Sequence, residues 1–290
     1  MKKIITAAVA TIAAVVVSGS VEAQISCGSY PFAEPYAAAF LAGKPFDAAA
    51  QAAQTIHTMA DGVCHQDRVV ALLEEELGSV VGYKAAATSA GAQKQLGLDG
   101  PVLGVLLQGM MRENGSTVVI KDGARMIFEL DLLARVGSAA INEATTREEA
   151  LAGLDAVVPF IELGDLMVPK GAAITGPLLQ AMNAGARLGV VGNPIPIDGL
   201  DADALAGASG VLTMNGTVVA QAPATALLGH PLDAVLWIVK AANARGMTLK
   251  EGDVLSLGSL GRFQLAAPGT ITATYTGFST EPATVSVTLD

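Results

Sequence analysis

Histidine, cysteine, aromatic side chains and charge are all scarce in this chain, and each shortage closes off a class of function. There are three histidines, His57, His65 and His230, and two cysteines. Cysteines with distant histidines make a poor zinc set. A serine triad has no Gly-x-Ser-x-Gly elbow to rest on, so each histidine reads as structural. No Gly-x-Gly-x-x-Gly follows a strand, which leaves a dinucleotide site without support. The formal charge is -10, with no basic patch interleaved with aromatics, and that argues against nucleic acid. Charged residues make up 15% of the 290 residues and hydrophobic ones 51%, so the chain can bury a large core and is too apolar for disorder. Neither an internal repeat nor a low-complexity linker divides it. One domain with an N-terminal helical portion is expected.

The longest apolar run lies at the start. Lys2 and Lys3 precede an apolar stretch from Ile4 to Val17, followed by Val21-Glu22-Ala23. This reads as a secretory signal, residues 1–23, cleaved before Gln24. An uncleaved anchor is the alternative, though the run is short for a membrane span. Export implies a periplasmic or secreted protein that keeps no membrane attachment once cleaved. In an oxidising compartment Cys27 and Cys64 are expected to pair, stabilising by about 4 kcal/mol. Two buried free thiols are the alternative.

Residues 24–80 read as the helical portion and 81–290 as a mixed sheet rolled on itself, because the second half has no βαβ rhythm. Residues 35–60 are alanine-rich and helical with a break at Gly43-Lys44-Pro45, and a second helix runs from Asp67 to Leu77. A strand from Val80 carries Lys84. Thr146-Arg147-Glu148-Glu149 is a capping box. Asn215-Gly216 between two apolar runs predicts a two-residue hairpin. Pro231 opens a helix with Trp237 on its apolar side.

The stretch Phe128 to Val136 is the most informative. Glu129 and Asp131 sit two apart in a strand-like run, so they share a face. Two acids on one face repel unless a positive charge lies between them, and a hard divalent cation would answer. A solvated edge is the plainer explanation. Glu162 sits in a second apolar run, Val157 to Leu163. Lys84, buried in its strand, is expected to have a lowered pKa and to move protons near neutrality. A lysine on a strand edge is the alternative.

Several landmarks then fall in one order: Gly82-Tyr83-Lys84, Thr88-Ser89, Gln95-Leu96-Gly97, Gly104, Glu129-x-Asp131, and Pro159-Phe160-Ile161-Glu162-Leu163. Asn215-Gly216, Gly229-His230-Pro231-Leu232, Gly252-Asp253-Val254 and Pro268-Gly269 follow. Over roughly residues 65–290 the chain resembles the 2-keto-4-pentenoate hydratase family, within the fumarylacetoacetate hydrolase fold group. The resemblance implies an α+β fold with a mixed β-roll. It also implies a divalent metal, Mg²⁺ or Mn²⁺, a small 2-hydroxydienoic or 2-oxo acid substrate, and self-association. It places metal ligands at Glu129, Asp131 and Glu162, the acid/base lysine at Lys84, and substrate contacts at Asn183 and Ser259. Another register would pair Ile127 with Glu129 and lose one ligand. Relatives carry an Asp-Asn-Ala-Ser-type stretch where this chain reads Met182-Asn183-Ala184-Gly185. From the resemblance, hydration is the leading expectation. Decarboxylation or carbon–carbon hydrolysis at the same site, and non-catalytic binding of a small carboxylate in the periplasm, stand as alternatives.

Overall fold

The computed structural model describes residues 31–290. The signal segment and Cys27 lie outside the described residues. Among the described residues no helix is long and apolar enough to cross a membrane.

In chain order the helices are α1 (Ala33–Leu41), α2 (Ala48–Ala52), α3 (Met59–Leu77), α4 (Ala90–Leu96), α5 (Arg147–Ala152), α6 (Gly176–Ala181), α7 (Ala202–Ala206) and α8 (Pro231–Asn243). The strands are β1 (Val80–Ala86), β2 (Val102–Leu107), β3 (Met111–Glu113), β4 (Thr117–Val118), β5 (Ile127–Val136), β6 (Leu154–Leu163) and β7 (Leu188–Val191). They continue with β8 (Ile195–Pro196), β9 (Ser209–Met214), β10 (Thr217–Pro223), β11 (Val254–Ser259), β12 (Gln264–Leu265), β13 (Gly269–Thr276) and β14 (Ala283–Leu289).

Helix α3 starts at Met59, eight residues before Asp67, the start expected from the sequence. Thr58 is the reason: its hydroxyl accepts from the Asp61 N–H while the Asp61 carboxylate accepts from the Thr58 N–H. Gly62, within the helix, is a contact point. A Cβ there would lie 2.5 Å from the Pro177 carbonyl oxygen, so α6 crosses α3 at that residue. The capping box at Thr146 and the hairpin at Asn215-Gly216 form as expected, the latter with φ of 51° and 79°. His230 caps α8, its Nδ1 accepting from the Leu232 N–H at 3.0 Å, a structural role.

The strands form two sheets. The larger runs β2-β1-β11-β5-β6-β7-β3, with β12 also paired to β5 and β8 to β6. Its β1–β11 and β3–β7 pairs are parallel and the others antiparallel. The smaller runs β10-β9-β13-β14-β4. This is the mixed, rolled α+β architecture. Alternation along β5 and β6 splits their side chains. Leu130, Leu132, Val157 and Ile161 join the main core. Leu133, Val158 and Phe160 form a separate apolar layer on the opposite face, which also carries the acids.

Candidate active site

The larger sheet brings one lysine and three acids together on that face. Lys84 comes from β1, Glu129 and Asp131 from β5, and Glu162 from β6. Register does the work: Glu129 lies directly opposite Glu162 across the β5–β6 pair. Strand β11 sits between β1 and β5, with Ser256 opposite Lys84 on one side and Leu133 on the other.

Lys84 is buried, and its ammonium pairs with Glu162 Oε1 and donates to the Ala184 carbonyl at 3.3 Å. Its pKa runs opposite to the sequence expectation. Burial pulls the ammonium down, but the charges of Glu162, Glu129 and Asp131 outweigh it and hold the value above that of an ordinary lysine. Sequence reasoning weighed burial and missed how many acids would face the amine.

Glu129 is half-buried. Burial first, then the charge of Glu162, pushes its carboxyl up to about 8, with Lys84 pulling the other way. Asp131 has no exposed surface and is also pushed up to about 8, by burial and by Glu162. Its oxygens are engaged: Oδ1 accepts from the N–H groups of Leu132 at 2.6 Å and Gly258 at 3.0 Å, and Oδ2 accepts from the Ser256 hydroxyl. Ser256 and Tyr275 were missed in the sequence. Tyr275 reaches from β13 and donates to the backbone carbonyls of Asp131 and, at 3.0 Å, of Phe160. The only sequence signal for Ser256 was a lone hydroxyl inside an apolar strand.

Among the described residues no group of three or more histidine, cysteine, aspartate or glutamate side chains is arranged to hold a metal ion. The reason is visible. Asp131 is turned into its own hydrogen bonds, and Glu162 is taken by Lys84. The donor chemistry nevertheless suits a hard cation: carboxylate oxygens, three acids against one lysine, and two of those acids pushed up by burial and by the charge of Glu162. Asn183 is turned into the interior. Its Oδ1 accepts from the Val105 N–H and Gln66 Nε2 and its Nδ2 donates to the Val105 carbonyl, all at 2.8 Å. The Ser259 hydroxyl donates to the Gly261 carbonyl at 3.1 Å, at a bulge in β11 where Ser259 pairs with Asp131.

No protein-family model matches the chain. It is 30% identical over 194 residues to 2-keto-4-pentenoate hydratase of Paraburkholderia xenovorans, covering 66% of this chain and 70% of the relative. The chain belongs to the 2-keto-4-pentenoate hydratase family. Within that family, 2-hydroxyhexa-2,4-dienoate hydratase of Comamonas testosteroni is 29% identical over 197 residues, covering 66% of this chain and 72% of that one. The fold is similar to that of 4-oxalocrotonate decarboxylase of Pseudomonas putida, whose structure holds magnesium and adipate. The TM-score is 0.78 at 22% identity, over 89% of this chain and 96% of that one. Fumarylpyruvate hydrolase of Pseudomonas aeruginosa, with Mn²⁺ and pyruvate, matches at a TM-score of 0.53 and 13% identity, over 72% and 89%. This member of the hydratase family thus has a fold similar to those of that decarboxylase and that hydrolase.

Proposed function

We propose that this protein is a metal-dependent hydro-lyase that hydrates a small 2-hydroxydienoic acid. The observation that carries the reading is the contact of Lys84 with Glu162 directly beside Glu129, inside a family of hydratases. Glu129 and Glu162, with Asp131, would hold Mg²⁺ or Mn²⁺. When bound, the ion would supply Lewis-acid polarisation of the 2-oxo acid. The chain's own groups do the rest. Lys84 stays protonated at neutral pH, so it donates a proton to the terminal carbon and takes up the enol O–H proton as the dienol becomes a ketone; water then adds across the conjugated double bond, its hydroxyl to C4 and its proton to C3. Glu162 and the Ala184 carbonyl hold the ammonium in place. Ser256, Leu132 and Gly258 fix the Asp131 carboxylate. The apolar layer of Leu133, Val158 and Phe160 closes the face beside the acids and excludes water there.

Decarboxylation is the second reading, favoured by the likeness in fold to 4-oxalocrotonate decarboxylase. It would leave the electron pair of the broken bond in a dienolate on the 2-oxo oxygen, which Lys84 would protonate there. One experiment separates them: incubate the purified protein and Mg²⁺ with 2-hydroxypenta-2,4-dienoate and with 4-oxalocrotonate. Loss of dienol absorbance without CO₂ release, cut to a small residual rate by Lys84→Ala, supports hydration. CO₂ release supports decarboxylation. No turnover of either, with no heat of Mg²⁺ or Mn²⁺ binding, removes both and leaves carboxylate binding without catalysis. Export before Gln24, a Cys27–Cys64 bridge and self-association belong to the same proposal. Intact mass of the secreted protein with and without reductant checks the first two, and light scattering the third.

A further inference from the structure

Behind Lys84 lies a cluster of buried amides that hydration chemistry does not use. Gln66, on α3, has no exposed surface. Its Nε2 donates to the Leu103 carbonyl and to Asn183 Oδ1, both at 2.8 Å. Its Oε1 accepts from Arg245 Nη1 at 2.7 Å and from Gln180 Nε2. Every hydrogen-bonding position of the amide is therefore filled. Asn183, gripped from the other side by both backbone groups of Val105, is clasped between α3 and β2.

The clasp has a purpose that the local backbone reveals. Asn183 and Ala184 take φ of 53° and 56°, left-handed at two successive residues with side chains. Such a turn costs of order 1 kcal/mol or more per residue and persists only where its surroundings hold it. The carbonyl that this turn presents is Ala184 O, the acceptor for Lys84 Nζ at 3.3 Å. Gly104, between the two β2 residues that Gln66 and Asn183 grip, leaves the slot through which the lysine reaches that carbonyl. A Cβ there would lie 2.6 Å from Lys84 Cγ and 3.0 Å from Ala184 Cβ.

We propose that Gln66 is a positioning residue for Lys84: its N–H locks Asn183 and the left-handed turn, and the turn aims the Ala184 carbonyl at the ammonium. The proposal rests on Lys84 being the proton-transfer group.

Gln66→Glu tests it. The variant keeps an oxygen for Arg245 and Gln180 but loses the N–H that Asn183 accepts. With 2-hydroxypenta-2,4-dienoate and Mg²⁺, kcat is expected to fall about 10- to 100-fold with KM unchanged, because Gln66 does not touch substrate. In a Lys84→Ala background the same change should have no effect on the residual rate. A wild-type kcat in Gln66→Glu would overturn the proposal, as would a fall that merely tracks loss of folded protein. If the wild type turns over no dienoate, the functional reading fails by itself. The crystal structure of Gln66→Glu then decides: a displaced Asn183–Ala184 turn with the bond to Lys84 gone supports the positioning role, and an unmoved turn overturns it.

Discussion

Glu129 and Asp131, each pushed up to about 8, keep protons in the metal-free folded protein that an unfolded chain gives up near pH 4. A carboxyl whose folded pKa is raised contributes its stability below the unfolded value and loses it as pH rises through the folded one. The melting temperature of chelator-treated protein is therefore expected to fall between about pH 4 and about pH 8. Glu129→Gln should flatten that fall and raise the melting temperature at pH 8, while abolishing the stabilisation that added Mg²⁺ gives the wild type. Scanning fluorimetry across pH, with and without Mg²⁺, checks both; equal pH slopes in the two proteins would contradict the expectation. At this scale the sequence was partly legible. A period of two was enough to put Glu129 and Asp131 on one face. It could not supply the sign of the Lys84 shift. That sign depends on acids from β5 and β6 facing an amine from β1, and only pairing brings them together. Nor could it show that Asp131 spends its oxygens on Ser256, Leu132 and Gly258.

Strand β2 supports the site by what it lacks. Gly104→Ala would place a methyl against the Lys84 stem, and overpacking of this kind costs about 1–3 kcal/mol. The variant should stay folded by circular dichroism, melt at lower urea, and lose most turnover because the lysine is displaced. Full activity would show that the stem can move aside. Elements with local chemistry were legible beforehand: the Thr146 capping box, the Asn215-Gly216 hairpin and the strand bearing Lys84 each carry their instructions in a few adjacent residues. The start of α3 was not: it was expected at Asp67, while the Thr58–Asp61 box begins it at Met59.

Across the whole molecule, the N-terminal helices and the roll share one core, from Phe32 to Leu289. A buried ion pair pins α1 to the roll. Arg187 Nη1 lies 3.3 Å from Asp165 Oδ2, Nη2 donates to the Phe40 carbonyl at 3.1 Å, and the guanidinium sits 4.4 Å over the Phe40 ring. Asp165 in turn accepts from the N–H groups of Ala124, Arg125 and Met167. Arg187→Met removes one partner and leaves the acid buried, so a loss of about 3–5 kcal/mol in urea unfolding is expected. A loss under about 1 kcal/mol would mean that the backbone N–H groups alone satisfy Asp165.

By itself the sequence determined the class of chemistry. Shortages of histidine and cysteine argued against a zinc set of those residues, acidity argued against nucleic acid, and an ordered set of landmarks pointed to the family and its roll. Strand alternation also determined that Glu129 and Asp131 share a face, because that is a local property of the backbone. Only the tertiary structure decided which of those acids meet. Glu129 lies against Glu162, Lys84 is held between Glu162 and the Ala184 carbonyl, and Asn183 serves the interior rather than facing outward. Each of those outcomes depends on the register between strands and on helices packed from distant parts of the chain, and register is set by the whole core at once.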